Sequence, residues 1–372
     1  MKPPMRPSRV QLAAPLQQID RTWVRYQGRR LAYFGGCDYY RLASHPAVLA
    51  AVRDGLRRYG LNVSASRLTT GNHALYEKLE LDLARFFRFP AAVLVSCGYL
   101  ADLVAAQALA GACSHALMDE RAHPSLRDAA PFLGCPVKSF RHRDARDLAR
   151  LVRRCGPNAR PLVLTDGLFA HDGSVAPLDE YLDALPPAGL LLVDDAHGAG
   201  TLGAHGRGTA EHLSAPTRRV VQTCSLGKAF GAFGGAILGP EWLRRNIVAS
   251  SRMFIGHTPP PLPLVCAALK AIDILRKHPA LPRRLRANTE FVKSRLRDAG
   301  IPAPPEHPGP MVAVAPASVP AASRLRKALL AQGIYPSFIH YPGGPAAGYF
   351  RFALSSEHTR AQLERLVAAL TA

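Results

Sequence analysis

The strongest constraint on this chain is a rhythm. Between residues 90 and 240, short apolar runs alternate with helical stretches. Residues 92–96 (AVLVS) read as a strand and 99–110 as a helix. Residues 115–119 (HALMD) are strand-like, with a helix over 123–132. Residues 136–140 and 145–155 repeat the pair. Residues 161–166 and 189–194 are short and rich in Leu and Val, as strands buried on both faces are. Residues 219–225 and 234–238 complete the series. This spacing predicts an α/β fold with a mostly parallel central sheet covered by helices. In such sheets ligands bind beyond the carboxyl ends of the strands, where the polar residues of this chain gather.

The flanks differ. Residues 261–300 carry long helical periodicity. A smaller α/β pattern follows, with strands near 311–314 and 349–354 and helices near 321–332 and from His358 onward. The expected organisation is an N-terminal arm (1–40), a large domain (41–260), and linking helices with a small C-terminal domain (261–372). No apolar run follows the basic start MKPPMRPSRV, so no secretory signal is expected. The most apolar stretch, 91–113, is broken by Ser96, Gly98 and Asp102 and reads as a strand and helix, not a membrane span. Seven cysteines without a C-x-x-C pair predict a reduced, cytoplasmic protein with no zinc site. The formal charge of +20 predicts an anionic partner. The arginines, however, are spread along amphipathic helices (Arg53, Arg57 and Arg58; Arg283, Arg284 and Arg286; Arg295 and Arg297) and not gathered among aromatics. Specific nucleic-acid binding is therefore disfavoured.

Two strand ends carry candidate chemistry. The first runs Val193-Asp194-Asp195-Ala196-His197-Gly198. A single Asp here would ordinarily be a helix cap. The second follows about thirty residues on, as Ser225-Leu226-Gly227-Lys228-Ala229-Phe230-Gly231. A lysine in an apolar, glycine-flanked setting is costly unless it is used, and burial makes it a nucleophile able to form a Schiff base. A lysine, an acid, a histidine and a helix N-terminus able to take a phosphate are the set that pyridoxal phosphate (PLP) chemistry needs. The candidates are Lys228, Asp194, His197, and Ser96-Cys97-Gly98-Tyr99 opening a helix, with Ser225 near the lysine.

In the order of these motifs the sequence resembles the α-oxoamine synthases, fold-type I PLP enzymes, from about residue 31 to the C-terminus. The resemblance implies roles. Lys228 is the Schiff-base lysine, Asp194 the partner of the pyridine nitrogen and His197 the contact to the ring oxygen. His123, in Asp119-Glu120-Arg121-Ala122-His123-Pro124-Ser125, stacks on the ring. Gly98, Tyr99 and Ser225 bind the phosphate, and Thr258 reaches it from the neighbouring subunit of a homodimer. Arg351 clamps the amino-acid carboxylate. Departures fall on substrate-facing positions: Cys37 and Asp102 stand where the family has asparagine, Ala170 where a serine is common, and Asp166 where glutamate is common. The implied reaction condenses a small amino acid (alanine, glycine or serine) with an acyl-CoA or acyl carrier protein thioester, with decarboxylation. The biotin-pathway branch is the nominal match. Rival readings are another α-oxoamine synthase branch (2-amino-3-ketobutyrate CoA ligase-like or of secondary metabolism), a fold-type I aminotransferase, and a basic nucleic-acid-binding or scaffold protein without catalysis.

Overall fold

The computed structural model describes residues 13–304, 306–340, 345 and 347–372; the basic start of the chain lies outside them. Its centre is a seven-stranded sheet. The strands are β4 (Ala91–Val95), β5 (His115–Asp119), β6 (Val137–Phe140), β7 (Pro161–Asp166), β8 (Leu190–Asp194), β9 (Val220–Ser225) and β10 (Gly235–Gly239). They lie in the order β4-β10-β9-β8-β7-β5-β6. Pairings from β6 to β9 are parallel, and β10 runs antiparallel to both β9 and β4. The reversal has a simple cause. Only residues 226–234 separate β9 from β10, too few for a crossover but enough for a hairpin. The edge strand β4 and the interior strands β7 and β10 are buried along their whole length, as apolar runs covered on both faces must be.

Helices cover both faces. Among them are α1 (Pro46–Tyr59), α2 (Ala74–Phe87), α3 (Gly98–Leu109) and α4 (Pro124–Ala129). The helix expected over 123–132 is shorter than the pattern indicated: Pro131 breaks it, and residues 130–133 tighten into a 3₁₀ turn. The Arg67 guanidinium grips Glu80 of α2, whose carboxylate also accepts the Leu94 N–H at 2.8 Å, tying that helix to β4. Two long helices, Leu262–Lys277 and Ala280–Asp298, lead to a three-stranded antiparallel sheet of β11 (Met311–Val314), β13 (Tyr349–Ala353) and β12 (Phe338–Ile339).

Within the expected arm, residues 17–32 are structured. β1 (Gln17–Asp20), β2 (Trp23–Tyr26) and β3 (Arg29–Ala32) form an antiparallel meander. Its end is held by the C-terminal part of the chain. Ala32 bridges Ile334, and the Ala353 N–H donates to Phe34 O at 2.6 Å. Ala32 and Phe34 share an apolar cluster with Phe350, Phe352 and Leu366. Among the described residues no helix is long and apolar enough to cross a membrane.

Candidate active site

The parallel strands β5, β7, β8 and β9 end in Asp119, Asp166, Asp194 and Ser225. The register sets Asp166 beside Asp194, and Asp194 beside Thr223. Two ionised carboxylates in this position would repel. Burial, and then the charge of Asp194, push the Asp166 carboxyl well above the usual range. Asp166 Oδ1 accepts the His123 N–H at 2.8 Å. The tandem acids of the sequence motif divide their work. Asp194 remains at the ligand edge, where Oδ1 accepts the Ala196 N–H at 3.0 Å. Asp195 is fully buried and accepts the Thr209 N–H and hydroxyl at 2.8 and 2.7 Å. Gly198 and Gly208 wall it in: a Cβ at either would come within 2.0 Å of a carboxylate oxygen. Burial raises the Asp195 pKa to about 7 against those hydrogen bonds. It braces the loop and does not face a ligand.

His123 caps α4, its Nδ1 accepting the Ser125 N–H at 3.2 Å. Its Nδ1 also lies 2.6 Å from Ser125 Oγ and 3.8 Å from Asp194 Oδ2. Burial lowers its pKa, opposed by Asp194 and assisted by Lys228. Behind it, Asp102 of α3 is fully buried, with Ser125 Oγ 2.6 Å from Oδ2 and Thr223 Oγ1 2.6 Å from Oδ1. Burial and the neighbouring Asp194 charge hold the Asp102 carboxyl well above the usual range.

His197 stands on the loop after β8. It is buried, and its Nδ1 lies 2.8 Å from Tyr39 Oη. Burial, then the charges of Lys228 and Arg351, hold its pKa well below the imidazole range. Lys228 sits on the β9–β10 hairpin; it is half-buried, less enclosed than its apolar neighbours implied. Arg351 is delivered from the other lobe. Along β13 side chains alternate, so Phe350 and Phe352 fill the small core while Arg351 projects from the opposite face. Its Nη1 donates to Ala170 O at 3.2 Å, and its Nη2 lies 4.0 Å from Cys37 Sγ.

The far end of the site is the N-terminus of α3. Cys97 precedes it without making a side-chain cap bond. Gly98 abuts Ser225, and a Cβ there would lie 2.9 Å from Ser225 Cβ. Tyr99 is 42% exposed, lies edge-on to the His123 ring and donates to Asp128. Thr258 is exposed, and its carbonyl accepts from Ser96 Oγ at 2.7 Å within the same chain. The fold thus brings Lys228, Asp194, His123, His197 and Arg351 together, with Cys37 beside the arginine. Gly98, Tyr99, Ser225 and Thr258 gather at the α3 end.

Residues 34–370 match the family described as aminotransferase class I and II. The chain belongs to this family. Within it the chain is a PLP-dependent enzyme of the α-oxoamine synthase type. It is 37% identical over 353 residues to 8-amino-7-oxononanoate synthase of Thioalkalivibrio sulfidiphilus, covering 92% of this chain and 88% of that protein. The enzyme of the same name from Stutzerimonas stutzeri is 37% identical over 359 residues, covering 95% and 91%. The structure of serine palmitoyltransferase from Sphingomonas wittichii superposes with a TM-score of 0.89 at 25% identity, covering 95% of this chain and 90% of that one. For an α-oxoamine synthase, the sequence motifs named most of the polar side chains found here. They left Tyr39 and Ser125 without roles, and they set Asp102 and Asp166 among substrate-facing departures, whereas both are buried and bonded to Ser125, Thr223 and His123 inside the protein. One signal was available: Asp166 and Asp194 both close strands of a parallel sheet, which sets them side by side.

Proposed function

We propose that this chain joins a small amino acid to an acyl thioester, releasing the thiol and carbon dioxide and leaving an α-amino ketone. The nominal product is 8-amino-7-oxononanoate, formed from alanine and a pimeloyl thioester, in keeping with the names of the relatives. One observation carries the reading. A lysine, an acid, two histidines and an arginine from distant parts of the sequence meet at the carboxyl edge of the sheet.

The residues fit PLP. The uncapped start of α3, pressed against Ser225, offers backbone N–H groups and a hydroxyl to a phosphate. Asp194 would face the pyridine nitrogen and keep it protonated, His197 the ring oxygen and His123 the ring face. When bound, the cofactor supplies an electron sink for the pair left on the amino-acid Cα. Lys228 Nζ would hold the cofactor and, once released, take the Cα proton. Arg351 would grip the carboxylate with its planar fork, with Cys37 and Ala170 flanking the substrate. Thr258 would serve the phosphate of a partner subunit in a homodimer. Surface arginines would draw in the phosphates of CoA or an acidic carrier protein.

The test is thiol release by purified holoenzyme across small amino acids and acyl-CoA chain lengths. Release that requires both substrates, and that is abolished with the cofactor's visible absorbance in Lys228→Ala, is the expected result. Conversion of the cofactor by an amino acid alone, without thiol release, would overturn the reading in favour of an aminotransferase.

A further inference from the structure

Ser125 is asked for more protons than it owns. Its hydroxyl oxygen lies 2.6 Å from His123 Nδ1 and 2.6 Å from Asp102 Oδ2. Both are hydrogen-bond distances, and each contact requires a proton between its two atoms. A serine hydroxyl supplies one. The second must come from His123 or Asp102. His123 Nδ1 accepts the backbone N–H of Ser125 as the cap of α4, so this nitrogen presents a lone pair. The other oxygen of Asp102 accepts from Thr223 Oγ1. The remaining place for the second proton is Asp102 Oδ2.

We propose that Asp102 is a neutral carboxylic acid whose O–H donates to Ser125 Oγ, while Ser125 donates its own proton to His123 Nδ1. The chain Asp102–Ser125–His123 thereby fixes the imidazole as the tautomer protonated at Nε2 and sets the plane of the ring. Asp102 and Ser125 are positioning residues; they act through His123. The charged and titratable groups around Asp102 favour the same assignment. The Asp194 charge of β8 raises the pKa of both Asp102 and Asp166 of β7, and Asp102 lies wholly out of solvent. A neutral Asp102 leaves Asp194 to carry the negative charge of the cluster. The proposal uses the reading above only in setting His123 against a cofactor ring; the proton count stands without it.

Two measurements on the holoenzyme test this without turnover. In infrared difference spectra of wild type against Asp102→Asn, the expected loss is a protonated-carboxyl C=O band above the amide I region, shifted by deuterium exchange. A difference showing only ionised carboxylate bands would overturn the proposal. Nitrogen-15 spectra of labelled histidine should show His123 Nδ1 as the unprotonated, pyridine-type nitrogen, and a protonated Nδ1 would also overturn it. Asparagine presents the same one-donor, one-acceptor pattern and leucine neither, so Asp102→Leu should weaken PLP binding roughly tenfold relative to Asp102→Asn. Equal affinity in the two variants would count against the relay.

Discussion

Tyr39 Oη meets His197 Nδ1 at 2.8 Å, with both side chains out of solvent. Burial pushes the phenol well above its ordinary range and the imidazole well below its own, so both partners are neutral at physiological pH. The bond therefore couples the His197 tautomer to the direction in which the Tyr39 hydroxyl points. Tyr39→Phe removes that partner and leaves a buried ring nitrogen unsatisfied. The expected cost is about 1–2 kcal/mol of stability. It should come with a roughly tenfold fall in kcat/KM, as the His197 contact to the cofactor ring oxygen loosens. Thermal melts and steady-state kinetics check both, and a variant kinetically equal to wild type would separate Tyr39 from catalysis.

Arg351 reaches the site from a sheet whose other face is a packed core, so its backbone is fixed while its fork is presented. Arg351→Ala should raise the amino-acid KM far more than the thioester KM. Arg351→Lys should recover only part of the loss, because a point charge does not replace a bidentate fork. An equal rise in both Michaelis constants would remove the carboxylate role.

Gly98 tests the α3 end. Alanine is the better helix former by about 1 kcal/mol, so propensity alone would favour Gly98→Ala. The added Cβ, however, would stand 2.9 Å from Ser225 Cβ and 3.3 Å from Ser225 Oγ. Ser225 would have to move, and the expected result is PLP affinity at least roughly tenfold weaker with little change in melting temperature. Equilibrium titration with PLP reads this directly; unchanged affinity would place the phosphate elsewhere.

His358 gives a pH signature. It stacks on Phe34 at 4.0 Å, accepts the Ser355 N–H at 3.0 Å through Nδ1, and bonds Tyr33 O at 3.0 Å through Nε2. Burial, then the Arg41 charge, lower its pKa to about 3. The folded state keeps it neutral, whereas the unfolded chain takes up a proton below about pH 6.5. Stability is therefore lost as pH falls from 6.5 towards 3, by roughly 4 kcal/mol from this group. The raised carboxyls Asp102, Asp166 and Asp195 act with the opposite sign. The check is the difference in unfolding free energy between wild type and His358→Gln across that window. The gap should narrow on acidification, and a pH-independent gap would refute the assignment.

Local pattern carried much of the fold into view. The Leu- and Val-rich runs before Asp166 and Asp194 are strands β7 and β8, and the lysine between glycines lies beyond β9 at the ligand edge. Elements stabilised from afar were hidden. The meander at 17–32 takes its anchorage from Ile334 and Ala353, some three hundred residues away, and its own pattern is largely exposed. The same holds in the site. Asp194 and His197 announce themselves by spacing, but nothing local says that Asp195 turns inward to Thr209. Nor does it say that Asp102, inside an apolar helix, meets Ser125 and Thr223. Those pairings exist only once three strands are in register.

The antiparallel strand β10 also dictates an order of events during synthesis. Among the described residues β4 pairs with β10 alone, and β10 leaves the ribosome roughly 140 residues later. Until then β4, together with the α3 end that follows it, has no neighbour in the sheet. The hairpin that supplies the missing neighbour is the one that carries Lys228. The nascent chain thus receives its reactive amine and the strand that completes the sheet in a single step, and a ribosome stalled before Gly235 holds an unpaired β4 edge for chaperones to shield.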